Sequence, residues 1–147
     1  MVTTNDVADS QVLEDLLEQA TEEIAQVSGD GSYDKRNCYE AIRKHKAKAT
    51  IPPRRDAKIW QHGNSQAERL IRDENLRRIR QVGRKRWKKE SGYHRRSLAE
   101  TQMFRVKTIF GERVSAREFA GQATQVLVRC AALNTMTHLG MPDSYAA

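Results

Sequence analysis

Apolar residues at Val12, Leu13, Leu16 and Leu17 line one side of a helix if that stretch is helical, and Asp9 or Ser10 stands where a capping oxygen is needed. Residues 23–29 then alternate and stop at Gly29, the pattern of a short strand. Asp34 stands where a cap would open a second helix over residues 35–46, with Tyr39 and Ile42 turned inward. Residues 47–51 read as another short strand, stopped by Pro52 and Pro53. Helix, strand, helix and strand in that order predict an α/β fold with parallel strands. Residues 54–63 read as loop. Three helical stretches follow, over residues 65–82, 93–110 and 116–139. The last is apolar at Phe119, Ala123, Val126, Cys130 and Leu133, and Gly140 with Pro142 ends it.

The chain has 147 residues, 38% of them hydrophobic and 31% charged, which suits one domain with an ordinary core. No apolar run approaches the ~20 residues that span a bilayer, and no signal segment opens the chain, so a cytoplasmic location is expected. Cys38 and Cys130 lie far apart and outside any metal-ligand spacing, as two reduced thiols in helices would. Charge changes the picture more. Residues 1–34 hold nine acids and no Lys or Arg; residues 35–147 hold all 26 Lys and Arg and carry a net +16. Cations gathered at that density point to a polyanion as partner, and nucleic acid is the usual one.

The stretch after Gly92 carries the candidate chemistry. Tyr93, Arg96, Glu100 and Lys107 follow the spacing Y-x2-R-x3-E-x6-K, which on one α-helix places the four within an arc of roughly 60°. Leu98, Val106, Ile109 and Phe110 would then face inward on the other side. A carboxylate among an aromatic, a guanidinium and an ammonium suits a divalent cation and phosphate together.

These residues resemble the signature of bacterial insertion-sequence DDE transposases, whose core is ribonuclease H-like. SGDGSYD, IPPRRDA, WKKESGYHRR and RCAALNTMTHLGMP are similar to that family as well, so the likeness covers nearly the whole chain. The resemblance implies DNA transposition, cleaving and joining DNA at transposon ends by metal-dependent phosphodiester chemistry. It assigns Glu100 as the third carboxylate of the triad and Asp30 as the second, both metal-binding. It implies two Mg2+ (or Mn2+) ions in the complete enzyme, about 4 Å apart. Tyr93, Arg96 and Lys107 are expected to contact DNA, together with the basic run Arg84, Lys85, Arg86, Lys88 and Lys89. The expected fold is an incomplete ribonuclease H-like α/β domain, with two short parallel strands, several helices and a mostly helical C-terminal part. Residues 1–147 would be the C-terminal part of the catalytic domain, without its first three strands and first aspartate. Asp6, Asp9 and Asp15 do not match that missing strand position. A chain so truncated is expected to be inactive alone, and its first strand would expose an edge. Beyond DNA, the expected partners are another transposase chain or the product of an upstream reading frame, in the bacterial nucleoid, with no membrane.

Each residue also has a plainer role. Ser97 and Glu100 fit a capping box, Asp30 fits an Asx-turn, and Trp60 and Trp87 fit partly buried anchors. His45, His62, His94 and His138 show no ligand spacing, and Arg72, Arg77, Arg78 and Arg80 fit either a solvated helix face or a DNA contact. Two other functions fit the charge: a non-catalytic DNA-binding remnant or regulator of transposition, and a basic RNA- or ribosome-associated protein. The second leaves the Tyr93-to-Lys107 spacing unexplained.

Overall fold

Strands β1 (Gln26–Ser28) and β2 (Lys48–Thr50) run parallel, with Gln26 opposite Lys48 and Ser28 opposite Thr50. Helix α2 (Arg36–Lys44) makes the crossover between them. The computed structural model describes residues 2–4, 6–61 and 68–140. The α/β alternation read from the sequence is therefore present, with strands of three residues each. Among the described residues β1 pairs with β2 alone.

The core follows from the apolar spacing. Leu13 and Leu17 of α1 (Leu13–Glu18) meet Cys38, Ala41 and Ile42 of α2, and Ala47, Ala49 and Ile51 close the cluster from around β2. Ile24, Val27, Tyr33 and Tyr39 pack against it. Full burial of a side chain such as Ile42 contributes about 1.5–3 kcal/mol.

The helix starts differ from expectation. Neither Asp9 nor Ser10 caps α1; a 3-10 turn at Asp9–Gln11 leads into it from Ala8, and the Ala8 amide donates to the Gln11 side chain at 2.9 Å. Ser10 is buried, and its hydroxyl accepts from Lys35 Nζ at 2.7 Å. Asp34 does not cap α2 either. Lys35 stands at the N-cap without a side-chain bond, because the Asp34 carboxylate is committed to Arg72.

Of the predicted 65–82 helix, residues 65–67 lie outside the described residues and α3 runs over Ile71–Val82. Gly83, at φ +80°, ends it in a conformation that side chains with a Cβ rarely adopt, and α4 (Arg84–Glu90) starts at once. The sequence reading ended one helix at residue 82 and assigned no element to these residues. Its buried Trp87 donates from Nε1 to Asn75 Oδ1 at 3.3 Å, and the Asn75 amide donates to the Ala49 carbonyl at 3.3 Å. One side chain thus ties α4 to the backbone of β2.

The chain divides into two compact units, Thr3–Arg96 and Ser97–Ala147. In the second, α5 (Ser97–Phe110) and α6 (Phe119–His138) form a hairpin. Arg105 donates to Thr137 at 3.1 Å, Arg129 to the Arg113 carbonyl at 2.8 Å, and the Ser115 amide to Gln125 at 2.9 Å. The expected inward face of α5 is not buried: Leu98 is 62% exposed, Ile109 is exposed, and Val106 and Phe110 are only half-buried. Of the α6 stripe, Leu133 alone is buried, while Phe119 and Cys130 are exposed. Among the described residues of this unit α5 and α6 are the two helices and pack on each other, so one strip of each is covered.

Candidate active site and nucleic-acid interface

Asp30 sits two residues past the end of β1 and opens a 3-10 turn, Gly31–Tyr33. Its Oδ1 accepts from the Ser32 amide at 2.9 Å and from the Ser32 hydroxyl, the Asx-turn geometry expected of Asp-Gly. The turn is tight: a Cβ on Gly29 would lie 3.0 Å from the Tyr33 ring, so only glycine fits without displacing it. The Asp30 side chain remains 47% exposed. The Ser32 hydroxyl and amide hold its carboxyl below the usual aspartate range, and the Arg96 guanidinium acts in the same direction. Asp30 is thus an ionised oxygen donor at the surface, held in one orientation.

Arg96 comes from 66 positions further along the chain, and its Nη2 lies 3.4 Å from Asp30 Oδ2. It ends a 3-10 turn, Tyr93–Arg96. That turn corrects the sequence geometry, since the 60° arc for Tyr93, Arg96, Glu100 and Lys107 assumes one uninterrupted α-helix. The Tyr93 ring packs 6.2 Å from that of Trp87, and Lys88 Nζ lies 4.7 Å from its centroid, a cation–π contact. Glu100 is in the first turn of α5, exposed, and Lys107 follows two turns later, 3.8 Å from Glu112. Both belong to the second unit.

The basic run on α4 is not one uniform patch. Arg84 is half-buried and donates to the Pro53 carbonyl at 2.7 Å. Arg86 and Arg78 converge on Glu90, at 2.8 and 2.9 Å. Lys88 is engaged with Tyr93. Lys85 and Lys89, one helical turn apart and exposed, have no partner among the described residues. On α3, Arg77 pairs with Glu74 at the surface. Arg72, read from the sequence as a solvated or DNA-facing cation, is buried.

Arg72 belongs to a group that the sequence reading missed. Its Nε and Nη2 donate to both oxygens of Asp34, at 3.0 and 3.3 Å, and its Nη1 donates to Asp73 at 3.1 Å and to the Lys58 carbonyl. Asp73 also accepts from the Trp60 and Gln61 amides, at 3.0 and 2.8 Å. Asp34 accepts from the Arg54 amide at 3.1 Å. Burial favours a neutral Asp73, but these donors outweigh it and hold the carboxyl below its ordinary value. No periodicity signals an ion pair between residues 38 positions apart, and Asp73 lies within the predicted 65–82 helix, where nothing marks it as a partner.

The resemblance implies carboxylates around divalent cations. Among the described residues no three His, Cys, Asp or Glu side chains form a cluster able to hold one. Asp30 fits such an ion in kind, as an ionised, accessible hard oxygen donor, and Glu100 offers carboxyl oxygens on an exposed side chain. No helix among the described residues is long and apolar enough to cross a membrane. No solved structure matches the chain. A sequence profile of the transposase DDE domain matches residues 1–135, which takes in β1, the Asp30 turn, the Tyr93–Arg96 turn and Glu100. That match spans most of the chain, and the protein therefore belongs to the family of transposase DDE domains.

Proposed function

We propose that this chain is part of a transposase catalytic core, in which Asp30 and Glu100 are metal-binding carboxylates and Arg96, Tyr93 and Lys107 meet DNA phosphates. The family uses divalent metals generally. The observation that carries the reading is the approach of Arg96 to Asp30 across 66 positions, which joins two separate motifs of the family resemblance in one unit. A carboxylate and a guanidinium side by side suit a phosphodiester held next to a cation. Asp30 and Glu100 would supply the oxygens for Mg2+ or Mn2+, and the bound ions would activate the attacking oxygen and stabilise the leaving one. Arg96 would balance charge on the non-bridging phosphate oxygens, while the Asx-turn keeps the Asp30 carboxylate ionised and oriented.

On the DNA-facing side, Lys85 and Lys89 are the cations with charge to spare, since the charge of Arg86 is shared with Glu90 and Arg84 is occupied by Pro53. Binding through them would be electrostatic and nearly independent of sequence.

The reading calls for a third carboxylate, and neither Asp6, Asp9 nor Asp15 matches the family's strand position. The purified chain is assayed with Mg2+ or Mn2+ on transposon-end DNA, alone and with an upstream transposase segment supplied in cis or in trans. Cleavage is expected only with that segment, and Asp30→Asn and Glu100→Gln should each abolish it. Activity that survives both substitutions would overturn the site. DNA binding with no activity in any combination would favour a non-catalytic regulator.

A further inference from the structure

We infer that Arg72 is a positioning residue for Asp30, acting through a buried ionic clamp on Asp34 and on the loop after β2; its relevance to catalysis rests on the function proposed above. A guanidinium only 3% exposed, between a fully buried Asp73 and a buried Asp34, is costly to remove from water. Apolar side chains of similar volume would fill such a site at least as stably. What they could not do is what this group does with its donors and acceptors.

The clamp fastens the backbone at several places. Amides of Arg54, Trp60 and Gln61 donate to the two carboxylates, and Arg72 itself donates to the Lys58 carbonyl. The loop over residues 54–61 is thereby held near both of its ends. The Arg72 guanidinium also lies over the Trp60 ring, 4.1 Å from its centroid.

Asp34 is the last residue of the turn that Asp30 opens: its amide donates to the Gly31 carbonyl at 3.3 Å, and the Tyr33 amide donates to the Asp30 carbonyl at 3.2 Å. Fixing the Asp34 carboxylate with two nitrogens of one rigid fork fixes the end of that turn. The orientation of Asp30 depends on the turn staying closed, because Ser32 can hold Asp30 Oδ1 only while it is. The path runs from Arg72 to Asp34 and then through the turn to Asp30.

The test is amide hydrogen exchange on the full chain without DNA or metal, so it is independent of whether Asp30 is catalytic. Arg72→Lys keeps the charge and removes the fork. Protection of the Ser32, Tyr33 and Asp34 amides and of Gln61 should fall about tenfold or more, while that of Leu17 and Ile42 changes by less than about twofold. Unchanged protection in the turn would overturn the inference. So would an equal loss everywhere, including failure to fold, if it recurs in Asp34→Asn, which keeps an acceptor for the Arg54 amide and weakens the ion pair; that result would make the clamp a general support. A selective loss in either variant sustains it. With activity assayed separately, a selective loss alongside cleavage that survives Asp30→Asn would refute the proposed function and leave the positioning intact.

Discussion

The two units of this chain use apolar residues in opposite ways. In Thr3–Arg96, four helices of six to twelve residues and two three-residue strands bury Leu13, Leu17, Ile42, Ile51, Leu76 and Trp87, and an ionic group is sealed beside them. In Ser97–Ala147, two long helices leave Leu98, Met103, Phe104, Leu127 and Val128 exposed, and Leu133 alone among the described residues is buried. Helix length is therefore a poor guide to where stability resides. Helical stability in proteins comes mostly from a buried face, and a 20-residue helix with one buried residue gains little of it. Asp30 stands on the well-packed unit and Glu100 on the other.

The sharpest way to break this contrast is Asp73→Ala. It removes the carboxylate that accepts from the Trp60 and Gln61 backbone amides and one of the two acids balancing the buried Arg72, and should cost about 3–5 kcal/mol by urea denaturation. A cost below about 1 kcal/mol would mean that the first unit does not depend on its ionic group.

Next in size is a matched pair of truncations. Ile42→Ala removes a side chain 1% exposed and should cost about 2–5 kcal/mol. Phe104→Ala removes a larger one that is 67% exposed and should stay within about 0.5 kcal/mol of the parent. If the second loss matched the first, Phe104 would be buried against a partner in solution, and sedimentation of the two variants would reveal it.

Lys85→Ala and Lys89→Ala should leave stability unchanged. Each should weaken duplex binding and reduce the slope of log affinity against log salt by about 0.9. Arg84→Ala should do the reverse, lowering the melting temperature through the lost Pro53 contact with little change in slope. Equal slopes for all three would show that the division between structural and free cations is wrong.

The smallest effect expected is on pH dependence. The Asp73 carboxyl is held below its ordinary value in the folded chain, so the stability it contributes is complete above the unfolded value, about 3.9, and is lost as pH falls through the folded value. Asp30 acts in the same direction. Melting temperature should therefore decline below about pH 4, and Asp73→Asn should flatten the decline; a profile indifferent to that substitution would count against the buried ion pair.

Much of the fold was legible because local rules produced it. Leu13 and Leu17, and Tyr39 and Ile42, follow a period that survives in the structure; a strand does precede Gly29, but its three residues are all half-buried rather than alternating. The motif Tyr93-x2-Arg96 and the Asp-Gly turn at Asp30 were likewise visible as residues. Their meeting at 3.4 Å was not, because a contact between residues 66 positions apart leaves no trace in either segment's pattern. Asp34 misled for a related reason: an aspartate before a helix satisfies the capping rule whether its carboxylate turns to the helix amides or to an arginine elsewhere. The end of α3 at Val82 was legible, but α4 was not, because its run of cations carries almost no apolar residue to mark a helical period.

Taken alone, the sequence determined the order of helices and strands, the concentration of cations after residue 34 and the family motifs, since each depends on residues near one another in the chain. Only the tertiary structure decided that Arg72 is buried while Lys85 and Lys89 have no partner among the described residues, and that Leu98, Met103, Phe104 and Ile109 of α5 are exposed. Periodicity records which face of a helix is apolar. What lies against that face, and which carboxylate reaches which arginine, is settled by chain segments whose distance along the sequence carries no information about their distance in space.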